Sequence, residues 1–155
     1  MDLKFPGLFK NGCIKESFLS RVINPNVPGK ERNRLKRATA LALRELMVET
    51  EPNKKARDLV AFIVLALEGI AKTVEITTAA WEKRDYWIKA DRFRLEWEWA
   101  SRLGSEMRAA VVSENWDLIP QIAVKIFQFV GDERISERHR MGKPWVGAWE
   151  EVQKD

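Results

Sequence analysis

The 155-residue chain has one cysteine, Cys13, and one histidine, His139. A lone cysteine cannot close an internal disulfide, which excludes a fold built on disulfide staples. One cysteine and one histidine are also too few for a Cys/His zinc site, and no Glu-x-x-His pair exists to seat a di-iron centre in a bundle. Long apolar runs are missing: the longest, Leu59 to Leu67, has nine residues, well short of the roughly 20 that cross a bilayer. The opening Met1-Asp2-Leu3-Lys4-Phe5-Pro6 lacks the basic and apolar regions of a secretory leader, so a cytoplasmic protein with no membrane partner is expected. Glycine-rich phosphate loops and nucleophile elbows are absent as well. No segment alternates as a strand would, and no internal repeat or low-complexity tract is visible.

What is present is 45% hydrophobic and 32% charged, a globular balance with too many apolar residues for disorder. The length suits one domain able to bury about two-thirds of its unfolded surface. The net charge of +4 is unevenly placed. Residues 1–49 carry ten Lys/Arg against five Asp/Glu, a net of +5, whereas the remainder carries 17 against 18. Seven tryptophans accompany a single tyrosine.

Periodicity predicts an all-α protein, a compact bundle of four to six helices in a single domain. Residues 1–29 read as an irregular arm with a short helix at Lys15–Ile23 and a turn at 24–29. Residues 30–131 form the helical core, and 132–155 a charged tail containing Trp145 and Trp149. The first long helix, Lys30–Glu49, places Leu35, Ala38, Ala42 and Leu46 on one face. Lys30, Arg34, Arg37 and Arg44 project within roughly 80° of one another on another face. Lys54–Val74 is apolar nearly all round and belongs at the buried centre, with Thr77-Thr78 offering a cap for the helix that follows. That third helix, Ala79–Val111, would be about 50 Å long. A break at Ser113–Trp116 precedes a fourth helix, capped by Asp117, with Pro120 in its first turn and Gly131 at its end.

The third helix carries two apolar stripes. Trp81, Ile88, Leu95, Trp99 and Leu103 form one; Tyr86, Phe93, Trp97 and Ala100 lie about 160° away. A surface helix needs one apolar face, so either both stripes are buried within the domain or one serves a partner. Tyr86, Phe93 and Trp97, with Trp145 and Trp149, are the candidate protein-contact residues, because large aromatics concentrate binding energy at interfaces.

Nothing assembles an acid, a base and a nucleophile. His139 lies between two arginines and reads as a solvated tail residue. Cys13 has no histidine near it in sequence. Glu96 and Glu98 are two apart and point to different faces. A non-enzyme is expected, with no cofactor, no metal and no small-molecule substrate. Between Lys30 and Arg44 six cations face only one acid, Glu31. Such a run is either a solvated face or a contact for nucleic-acid phosphates. Lys30, Arg32, Arg34, Lys36, Arg37 and Arg44, joined by Arg92 and Arg94, are the candidate nucleic-acid contacts. No helix-turn-helix or RNA-recognition aromatic pair supports sequence-specific readout.

Lys30-Glu31-Arg32-Asn33-Arg34-Leu35-Lys36-Arg37, the buried segment Leu59–Leu67 and the long helix Trp81–Leu103 together resemble the small subunit of Cascade-type CRISPR effector complexes, in architecture and charge over Lys30–Val130. The resemblance implies a non-catalytic subunit of a guide RNA–protein effector. It would stack head-to-tail with copies of itself and bind the target or displaced DNA or RNA strand. The alternative is a helical adaptor or assembly chaperone that grips a protein client through its aromatic faces.

Overall fold

The computed structural model describes residues 26–155 and places 73% of them in five helices, with no strand among them. They are α1 (Asn26–Met47), α2 (Lys54–Glu82), α3 (Trp87–Val112), α4 (Ile119–Val130) and α5 (Ala148–Gln153). The expected short helix at Lys15–Ile23, and Cys13, lie outside the described residues. Asn26–Gly29 were expected in a turn but form the first turn of α1. Pro28 is tolerated there because amides of a first turn have no intrahelical acceptor.

Asn53 starts α2: its side chain accepts a 2.8 Å hydrogen bond from the Ala56 amide. The helix then runs through the densest part of the core, Leu59 to Leu67, every residue buried. It packs against α1, α3 and α5, while α4 bridges α1 and α3. The predicted exit at Thr77-Thr78 is instead helix interior. The Thr77 hydroxyl accepts from Arg32 (3.3 Å) and the Thr78 hydroxyl donates to the Val74 carbonyl (3.0 Å), so both are satisfied without ending the helix. The chain turns later, at residues 83–86. There the Tyr86 amide donates to the Trp81 carbonyl and the Asp85 amide to the Glu82 carbonyl, each at 3.0 Å. Asp85 takes the left-handed conformation, φ 63°. This is the bonding of a Schellman stop, with Asp where glycine is usual. Trp81 therefore belongs to α2, and α3, at 26 residues, is about 39 Å long instead of 50 Å.

α3 returns antiparallel along α2, pinned by Arg94–Glu82 at one end and by a bidentate Arg108–Glu68 pair (both 2.8 Å) further along. A Cβ at Gly104 would lie 3.2 Å from the Leu67 Cβ, so the two helices approach closely there. α4 turns Ile119, Ile122, Ile126 and Val130 into the core. Its first turn is anchored by the Asn115 side chain, which accepts from the Leu118 amide (3.2 Å), and not by the expected Asp117. The tail folds back. Trp145, Ala148 and Val152 are buried, and the buried Asp58 carboxylate of α2 accepts the Trp149 amide at 3.1 Å, serving the uncapped start of α5. No helix among the described residues is long and apolar enough to cross a membrane.

Candidate nucleic-acid interface

Lys30, Arg34 and Arg37 recur at i, i+4 and i+7 on α1 and so share one side of the helix. Lys30 and Arg37 are exposed. Arg34 pairs with Glu31 while its side chain stays 39% exposed. Glu31, the only acid in that half of the helix, is itself buried.

The other expected phosphate contacts do different work. Arg32 is buried, its guanidinium 4.7 Å from the centre of the Phe93 ring and 5.3 Å from that of Trp97. It donates to the hydroxyls of Thr77 (3.3 Å) and Thr73 (3.4 Å). Desolvation pushes its pKa below the usual arginine value, with the field of Glu96 opposing. Lys36 pairs with Glu133 at 3.0 Å. Arg44 donates to the backbone carbonyls of Glu133 (2.5 Å) and Gly131 (3.4 Å), closing the C-terminal end of α4. Arg94 bonds Glu82, with Glu75 at 3.6 Å and Asp91 at 3.7 Å, and the Glu82 bond raises its pKa. Arg92 is exposed.

The expected protein-contact aromatics are largely consumed within the chain. Phe93 and Trp97 lie half-buried against Arg32, in a row of rings that runs Trp81, Phe93, Trp97, Trp99, Phe129, with centroid separations of 5.1, 6.2, 6.0 and 4.7 Å. Trp145 is 5% exposed, which leaves it no surface for a partner. Trp149 is half-buried, stacked 6.3 Å from Trp116 with Arg57 across its ring. Tyr86 alone of the five is well exposed, at 54%.

Two surfaces escaped the sequence reading. Ile88 and Leu95, predicted to face the same way as the buried Trp99 and Leu103, are 71% and 77% exposed. The reason is length: α4, 12 residues or about 18 Å, covers only the C-terminal part of α3. With Tyr86 and Trp87 (55% exposed), Ile88 forms an elbow around a hollow of about 710 Å³ that Lys89, Arg92 and Phe93 also border. Lys83 and Arg84 are exposed in the turn itself. The second surface is an apolar groove of about 460 Å³ between Leu43, Leu46 and Met47 of α1 and Pro120, Ala123, Val124 and Phe127 of α4. Two helix stripes at i, i+3, i+4 spacing line it.

Among the described residues, no group of three or more His, Cys, Asp or Glu side chains is placed to hold a metal ion. His139 is half-buried, and its Nδ1 accepts the Met141 amide at 3.3 Å. Comparison with protein-family models, with curated proteins and with solved structures returns no match for this chain.

Proposed function

We propose that the chain is a non-catalytic helical subunit of a nucleoprotein assembly, of the kind formed by small subunits of Cascade-type CRISPR effectors, and that it contacts nucleic-acid backbone without sequence specificity. The observation that carries this reading is the outer face of α1. Lys30 and Arg37 stand exposed on it, and Arg34 between them is partly exposed and held by the buried Glu31. Long cationic side chains spaced by single turns can follow a phosphate chain, and such contacts set affinity without reading bases. Arg92, on α3 beside the elbow, is a further exposed cation. Arg32, Lys36, Arg44 and Arg94 fall outside the proposed contact set because they tie helices together. The apolar groove between α1 and α4 suits a neighbouring subunit, whether another copy or a different protein of the effector.

The test is a gel shift on labelled single-stranded DNA with the double variant K30E/R37E. Binding should weaken sharply near 50 mM salt and little at several-fold higher salt. The slope of log affinity against log salt should flatten by about 1.4, at roughly 0.7 per lost phosphate contact. Unchanged retention at low salt refutes the reading.

The same groove favours a second reading, a helical adaptor whose apolar surface grips a protein client. Absorbance at 260 and 280 nm separates the two. Nucleic acid that co-purifies supports the first reading, and a clean protein spectrum with a stably bound protein supports the second.

A further inference from the structure

We infer that the elbow between α2 and α3 is a stacking platform for unpaired bases, with Tyr86 and Trp87 supplying ring faces and Lys89 and Arg92 meeting the flanking phosphates. The inference rests on the nucleic-acid reading and adds a second, chemically different contact to the phosphate track on α1. The elbow is closed by two backbone hydrogen bonds of 3.0 Å each, and Trp81 beneath it meets Phe93 edge-on at 5.1 Å. Rings on a rigid base lose little freedom when a ligand covers them. Lys89 already lies 4.2 Å from the centre of the Trp81 ring, so Tyr86 and Trp87, both more than half exposed, are the faces left open.

The charges choose among occupants. Asp85 and Glu96 line the hollow, and both are exposed. A lipid surface or a flat apolar protein face would have to strip water from these carboxylates to reach the rings, at a heavy desolvation cost. A base stacking on one ring covers that ring and leaves the carboxylates in solvent. Stacking is tolerant of sequence because every base has a flat aromatic face, in keeping with the lack of any base-reading motif. The hollow of about 710 Å³ has room for more than one base.

The full chain is titrated with three probes: oligothymidylate of about 20 nucleotides, an abasic oligomer with the same number of phosphates, and phosphatidylglycerol vesicles. Oligothymidylate should bind about tenfold more tightly than the abasic strand and quench tryptophan fluorescence. W87A should cut that preference severalfold, with the Tyr86 ring keeping the remainder, and W87F, which keeps a ring, should restore most of it. Circular dichroism confirms that each variant is folded. Equal binding of both strands, with W87A silent, overturns the platform and leaves the phosphate reading standing. Binding of neither strand overturns both. Vesicle binding that depends on Trp87, without preference for bases over abasic sites, also overturns the platform and assigns the elbow to a lipid surface.

Discussion

Arg32 shows how a residue type can mislead at the scale of single side chains. In the sequence it stands in a run of cations and reads like its neighbours. In the fold its position, offset by two residues from Lys30, rotates it about 200° to the inner side of α1. There its guanidinium meets Phe93, Trp97 and two threonine hydroxyls. It therefore acts as a rivet between three helices. Arg32→Ala should lower stability by about 2–4 kcal/mol in urea denaturation, through lost packing and a cavity. Arg32→Met, which keeps the stem and removes the buried charge, should recover more than half of that loss, because an apolar residue of similar volume needs no compensation. Nucleic-acid affinity of folded Arg32→Met should equal that of the parent, since the side chain is buried. Asp58 is another such residue. It is buried, and its carboxylate holds the Trp149 amide, so Asp58→Ala should cost about 1–3 kcal/mol for the amide left unpaired. Amide exchange should rise in α5 first.

At the scale of elements, apolar periodicity made the helices legible, and their ends were legible only where proline or a well-known cap marked them. Gly131 lies at a boundary that the sequence signalled, and Asn53 caps the helix expected from Lys54. The elbow at 83–86 was missed because its left-handed position holds Asp85, and the threonines ahead of it mimic an exit. Replacing Asp85 by glycine should raise stability by up to about 1 kcal/mol, since glycine adopts φ 63° without the steric penalty of a side chain. A rise in the thermal midpoint checks this. Gly104→Val should act in the opposite sense, by about 1–3 kcal/mol, because Leu67 already stands 3.2 Å from where a Cβ would sit. Asn53 joins two elements: it caps α2 and its amide donates to Glu49 at 2.8 Å. That bond, together with Lys55, holds the Glu49 carboxyl below its ordinary 4.5. A carboxylate depressed in the folded state stabilises the fold above its unfolded value, and the benefit disappears as pH falls through the folded one. Asn53→Ala should cost about 1 kcal/mol through the lost cap. It should also move the Glu49 titration midpoint, followed by NMR, up toward 4.5.

For the whole molecule, the tail is the element whose role depends most on the rest. Read alone, residues 132–155 are charged and irregular, and nothing in their order says where Trp145 goes. In the fold, Trp145, Ala148 and Val152 cover α2. Removing residues 133–155 should therefore expose core and broaden or abolish cooperative unfolding, as judged by calorimetry. A disposable tail would leave the transition unchanged. The sequence by itself determined the helical class, the central place of Leu59–Leu67 and the excess of positive charge near the start of the chain, because each is a local or summed property of side chains. Tertiary structure alone decided which cations remain at the surface and which rings are covered. That choice depends on where a short α4 stops along a long α3, and on which neighbour lies opposite each turn of α1, and neither is encoded in the spacing of residues along one helix.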